Sequence, residues 1–142
     1  AVKGVAWAHR EHGNHIVLSN NEHPSVEGSV TWLEENGFEA TQVAVDGEGR
    51  VKPKTIAEAL TDRTVLIATH HGSHDLGTIQ DTAAIGTLAA ERGIPLLVAA
   101  PAVAVLAKAA SSSSSLGSSK SISSSVSLNI VSIASLSIDS CT

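Results

Sequence analysis

Four strand-length runs alternate with stretches that carry apolar residues at helical spacing: His15 to Ser19 (HIVLS), Thr41 to Val45, Thr64 to Thr69 (TVLIAT) and Leu96 to Ala99. This alternation is the strongest constraint on the fold. Strands that are apolar throughout need cover on both faces, and strands separated by helices join in parallel. The pattern therefore predicts an α/β fold, a parallel sheet flanked by helices. In the first helical stretch Val2, Val5, Ala6 and His9 share one face, and Gly13 is expected to supply the left-handed residue that ends it. Pro24 suits a first helical turn, Val26, Val30 and Leu33 follow at i, i+4 and i+7, and Gly37 closes the segment. Asp46-Gly47-Glu48-Gly49 reads as a turn, and Pro53 to Leu60 as a short helix with Ile56 and Leu60 inward. Asp81 starts another helix, whose Ile85, Leu88 and Ala89 share a face, ended by Gly93 before Pro95.

The 142 residues suit one such core rather than two. Composition divides them near Ala110. Before it, charged and apolar residues are interspersed; from Ser111 to Thr142, 16 of 32 residues are serine and the charges are Lys120 and Asp139 alone. The expected domains are thus 1–110, the folded part, and 111–142, a Ser-rich low-complexity tail. Within the tail Ile122, Val126, Leu128, Ile130, Leu136 and Ile138 mostly alternate with serine, a pattern prone to β-aggregation when exposed.

The charge balance excludes some partners. Lys plus Arg number 9 against 14 Asp plus Glu, a net charge of -5, and the aromatic residues are Trp7, Trp32 and Phe38. Such a chain has no basic stripe with stacking aromatics, so no nucleic acid is expected. Apolar stretches stop well short of the ~20 residues of a membrane span, and no basic region followed by an apolar run opens the sequence. Cys141, the single cysteine, cannot pair internally, and a cytoplasmic location is expected.

In open parallel sheets, ligands bind beyond the carboxyl ends of the strands. Here those ends lead into Asn20 to His23, His70 to Gly77 and Ala99 to Ala102. Glu22, His23, His70, His71 and His74 are the chemically capable residues of the first two loops. One reading of His70, His71, His74 and Asp75 is a metal-dependent hydrolase, with His9, His12 and His15 as a second cluster, although H-H-x-x-H-D matches no defined zinc signature. A third reading is a non-catalytic structural fragment.

The segments GNHIVLSNNEHPSV (Gly13 to Val26), WLEENGFEATQVAVDGEGRV (Trp32 to Val51) and HHGSHDLGTIQ (His70 to Gln80) resemble, in order and spacing, the middle of the large domain of cysteine desulfurases. These are class V aminotransferases, pyridoxal-phosphate-dependent enzymes of fold type I. The resemblance is collinear from Ala1 to about Ala104. It implies pyridoxal phosphate as cofactor, L-cysteine as substrate, a sulfur-acceptor protein as partner, a role in iron–sulfur cluster assembly, and a homodimer. His23 matches the histidine that stacks on the pyridine ring and moves protons, work suited to an imidazole with a pKa near ~6.5. The residue-level alternative is that His23 simply caps the helix before Pro24. His71 matches a cofactor-contacting histidine in the next loop, and His74 stands where an asparagine contacts the cofactor's phenolic oxygen.

Other positions depart from the family pattern. Ala99 replaces the aspartate that holds the pyridine nitrogen protonated, and Ala102, beside Pro101, replaces a contacting glutamine. The resemblance places the phosphate-holding Gly and Thr-Glu loop before Ala1 and the Schiff-base lysine within the serine-rich tail. Lys120 there lacks the preceding histidine, and Cys141 does not match the persulfide cysteine, which lies on a much later loop. The tail has no family counterpart; a shifted reading frame or a genuine linker would each give this composition. The chain is therefore expected to be an inactive or incomplete form of the enzyme.

Overall fold

A computed structural model describes residues 1–73 and 75–100, together with the backbone of 104–107. The strands are β1 (His15–Ser19), β2 (Glu39–Val43), β3 (Thr64–His70), β4 (Leu96–Ala99) and β5 (Ala104–Ala107), and the helices α1 (Val2–Ala8), α2 (Pro24–Glu35), α3 (Pro53–Ala59) and α4 (Thr82–Glu91). They form one five-stranded sheet in the order β2-β1-β3-β4-β5. The first four strands run parallel, as their separation by helices requires, and β5 returns antiparallel beside β4. Ala102, Lys120 and Cys141, and the whole serine-rich tail, lie outside the described residues.

Alternate side chains of β1 serve two cores. Ile16 and Leu18 pack with Val2 and Ala6 of α1, Val26, Val30 and Leu33 of α2, and Leu66 and Ala68 of β3. Val17 and Ile67 face the opposite way, onto Ile56 of α3 and Ile85 and Ala89 of α4. Both central strands are buried along their whole length. Thus α1 and α2 cover one face and α3 and α4 the other, and the i, i+4, i+7 stripe of α2 is the set of residues it buries.

Two expectations are corrected. β2 lies two residues earlier than Thr41 to Val45, because at the free side of β1 only Val43 of this strand is fully buried and no apolar run marks its limits. Gly13 does not end α1, which stops at Ala8, and it lacks a left-handed backbone, whereas Gly37 (φ 88) and Gly93 (φ 67) have one. Gly13 is needed for space: a Cβ there would run into the backbone carbonyl of Arg63, whose oxygen accepts from His15 N at 2.9 Å.

The outer face of α1 and α2 carries an aromatic and cationic cluster. Trp7 lies 5.8 Å from Trp32 and 5.9 Å from Phe38, with the Arg10 guanidinium 4.7 Å from the Trp7 ring and Lys3 Nζ 4.5 Å from the Trp32 ring. Trp7 and Trp32 remain 46% and 39% exposed. Among the described residues no helix is long and apolar enough to cross a membrane.

The close approach at Gly13 yields a paired expectation. Gly13→Ala should destabilise the fold by about 1–3 kcal/mol, the range for overpacking against groups that cannot yield. Gly4→Ala, in α1 with nothing within 4 Å of its built Cβ, should be neutral or stabilising by up to about 1 kcal/mol. Urea denaturation of both variants checks this, and equal midpoints would contradict the backbone clash.

Candidate functional site at the carboxyl edge

The strand order creates the site. From β1 the chain crosses to β2 on one side, then returns past β1 to β3 on the other, so β1 and β3 are neighbours whose connections diverge. The helix after β1, α2, covers one face, and the helix after β3, α4, covers the other. Their first loops therefore part at the carboxyl edge, the place where open parallel sheets bind ligands. His23 follows β1 and His71 follows β3, so both lie at this edge.

The floor of the gap is a buried polar chain. Glu22, whose side chain is fully buried, uses Oε1 to accept from Ser19 Oγ, from the His70 backbone N–H (2.9 Å) and from His70 Nδ1 (3.1 Å). On the far side of the imidazole, Gln80 Nε2 lies 3.0 Å from His70 Nε2 and donates to the Gly49 carbonyl at 2.8 Å, while Gln80 Oε1 accepts from Val51 N–H at 2.9 Å. The two backbone contacts fix the amide with its NH₂ toward His70. His70 Nε2 must then accept, which makes the ring a neutral imidazole with its proton on Nδ1, donated to Glu22. Among the described residues, Glu22 Oε2 is buried without a hydrogen-bond partner.

Other contacts tie the surrounding loops together. Asn21 Nδ2 donates to the Gly49 carbonyl at 3.2 Å, so that oxygen joins the loop after β1, the loop after β3 and the turn after β2. The turn is the expected one. Asp46 Oδ1 accepts from the backbone N–H of Glu48 and Arg50 at 3.0 Å each, and Gly49 has φ 78. These backbone donors, Arg50 first, hold the exposed Asp46 carboxyl below its ordinary pKa. Beyond β3, the Thr78 hydroxyl donates to the Glu48 carbonyl, and Leu76 and Ile79 project into solvent.

His23 is exposed and caps α2, its Nδ1 accepting from Ser25 N at 3.2 Å with Pro24 next. The capping geometry expected from sequence is present, and it leaves the imidazole at the edge. His71 is exposed; its N–H donates to the Ala99 carbonyl (2.7 Å), and its ring Nδ1 lies 3.4 Å from Thr82 Oγ1. Ala99, half-buried, ends β4 and brings a methyl group to the edge. His74 lies outside the described residues.

The hydrolase reading meets a physical obstacle at His70, where one ring nitrogen donates to Glu22 and the other accepts from Gln80, leaving no lone pair for a metal. Among the described residues no three His, Cys, Asp or Glu side chains converge as ligands. The expected second cluster divides: His9 donates from Nδ1 to the Val5 carbonyl at 2.9 Å and its ring lies 6.4 Å from that of His12, while His15 is turned into the amino edge of the sheet. Ser19 and Gln80, which complete the buried chain, were not foreseen. One closes a strand and the other precedes a helix cap, and nothing in their spacing sets them apart.

His15 makes the described part of the chain sensitive to acid. It bonds Thr64 Oγ1 (2.8 Å) and Thr41 Oγ1 (2.9 Å), and burial first, then Arg63, push its pKa down against the opposing pull of Glu39. The unfolded chain therefore takes up a proton near the ordinary value of about 6.5, before the folded chain does. This contribution to stability is complete above that pH and declines as pH falls below it. Urea midpoints compared at pH about 7.5 and about 5.5 should drop in the wild type, and His15→Asn should lose part of that drop. An unchanged pH slope in the variant would contradict this assignment.

Similarity to known proteins follows the same geometry. A family model described as aminotransferase class-V matches residues 1–112. The chain is 42% identical over 94 residues to cysteine desulfurase IscS of Methanosarcina thermophila, covering 66% of this chain and 23% of that protein. It is 43% identical over 91 residues to the NifS/IcsS protein homolog of Lactobacillus delbrueckii subsp. bulgaricus, covering 64% and 24%. The chain thus spans about a quarter of the length of these curated relatives. Among solved structures, that of SspA in complex with cysteine superposes with a TM-score of 0.65 at 33% identity, over 68% of this chain and 28% of that one. DndA from Streptomyces lividans shares the fold at a TM-score of 0.62 and 24% identity, over 68% and 29%. With a family match across most of its length and a sheet that superposes on these structures, the chain belongs to the class-V aminotransferase family.

Proposed function

We propose that this chain is a central piece of the cofactor-binding large domain of a cysteine desulfurase, with pyridoxal phosphate lying over the carboxyl edge between the loops after β1 and β3. The observation that carries the reading is that His23 and His71 follow the carboxyl ends of the adjacent strands β1 and β3, in a chain 42% identical to a cysteine desulfurase over 94 residues. In this reading His23 stacks on the cofactor ring and exchanges protons with the substrate, His71 and His74 contact the cofactor, L-cysteine is the substrate, and a second copy and a sulfur-acceptor protein complete the working assembly. That the related SspA structure holds cysteine supports the choice of substrate.

The fit to the cofactor is incomplete. A pyridine nitrogen over this edge needs an anion to stay protonated, and β4 ends in Ala99, a methyl group that can neither accept a hydrogen bond nor carry charge. The described residues therefore do not fit pyridoxal phosphate as a working electron sink, and no catalytic step is assigned through it. The chain as written is proposed to retain the family's scaffold without its turnover.

Two measurements check this. Purified protein given pyridoxal phosphate and L-cysteine should release no sulfide in steady state, and borohydride should trap no specific lysine adduct. Ala99→Asp should tighten cofactor affinity about tenfold or more, the value of one charge-assisted hydrogen bond. Steady sulfide release with a specific adduct at Lys108 or Lys120 would overturn the proposed inactivity.

A further inference from the structure

We propose that Glu22 and His70 are positioning residues for His23, holding the loop after β1 against the end of β3 so that the imidazole is presented at a fixed height over the carboxyl edge. The inference rests on the role proposed above for His23. It begins with the loop's own pattern of burial. Between Ser19 and α2, Asn20 and His23 are exposed, Asn21 is half-buried and Glu22 is buried. On the β2 side the loop is held by Asn20, whose N–H donates to the Val43 carbonyl and whose Oδ1 accepts from Val45 N–H, and by Asn21 on Gly49. On the β3 side the loop is held by Glu22, the residue directly before His23.

The anchor is built for direction. One carboxylate oxygen gathers three donors, two of them from His70, whose backbone N–H and ring Nδ1 grip it together. The ring in turn cannot rotate without losing Gln80, and Gln80 cannot flip without losing both Val51 and Gly49. The direction of Glu22 is thus referred, through an imidazole of defined tautomer, to the turn after β2. Among the described residues the second oxygen, Oε2, is buried with no partner. A buried carboxylate oxygen without a donor is costly, and a network chosen for stability alone would satisfy it or replace the carboxylate. Retention of a carboxyl group at this point accords with a task of placement.

The test uses isotopically labelled full-length chain and two readouts at the residue to be positioned: the ring signals and protonation midpoint of His23 by NMR, and exchange of the Ser25 amide that His23 caps. In Glu22→Ala and His70→Phe the His23 ring signals and midpoint should move, and the Ser25 amide should exchange about tenfold or more faster, the loss expected for one charge-assisted hydrogen bond. His70→Asn, whose side-chain amide donates where Nδ1 did, should return both readouts toward wild type. Should His70→Phe fail to fold, Glu22→Gln, which keeps the Oε1 acceptor, and Glu22→Asp, which withdraws it by one methylene, supply the same contrast. Unchanged His23 signals and Ser25 exchange in a folded His70→Phe chain, or a His70→Asn chain no closer to wild type, would overturn the proposal. Titration of wild type with pyridoxal phosphate, read at the His23 ring, separates the two ideas. No response there removes the cofactor role and leaves the positioning result standing.

Discussion

The pairing of β1 with β3 is the constraint on which the molecule depends. The two strands are parallel, adjacent and buried along their whole lengths, and each sends its next helix to a different face of the sheet. Covering both faces forces the loops beyond the two strands apart, which opens the edge where the histidines gather. The same pairing needs close contact at the opposite end, where Gly13 passes the Arg63 carbonyl and the backbone of His15 bonds to it. The open edge and the crowded one are therefore two results of a single arrangement.

The polar groups buried near this pair are handled differently at its two ends. At the amino edge His15 sits between threonine hydroxyls that can each donate or accept, so the ring's needs are met whichever tautomer it takes. At the carboxyl edge the partners of His70 leave one tautomer, because a carboxylate can only accept and a fixed amide can only donate. Outside the core, Arg63 grips Glu39 at 2.7 Å and lowers its pKa, an exposed pair whose contribution to stability is small.

Legibility in the sequence followed burial. The stripe Val26, Val30, Leu33 and the runs HIVLS and TVLIAT were readable because a fully covered element writes its period in apolar residues. β2 was misplaced because a strand with one covered neighbour leaves little of that record. Gly13 was misread because a glycine kept for space and one kept for a left-handed turn look alike in one sequence. Within the candidate site, Glu22, His23 and His71 could be placed at an edge, since strand ends follow from the alternation. Their connections could not. His70 looked like a loop ligand because its polarity ends an apolar run, yet it is the buried last residue of β3, and the partners that bury it come from positions 48 residues before and 10 residues after it.

The aromatic cluster on α1 and α2 has an optical consequence. Both tryptophans of the chain stand on that one outer face, near enough to share excitation, and each lies close to a cation that quenches or shifts emission according to its distance. Intrinsic fluorescence is therefore a gauge of how α1 lies against α2, reporting from a surface that belongs to neither the loop after β1 nor the loop after β3. A molecule at the carboxyl edge that absorbs no light in the range of tryptophan emission would leave that glow unaltered unless it also moved the helices.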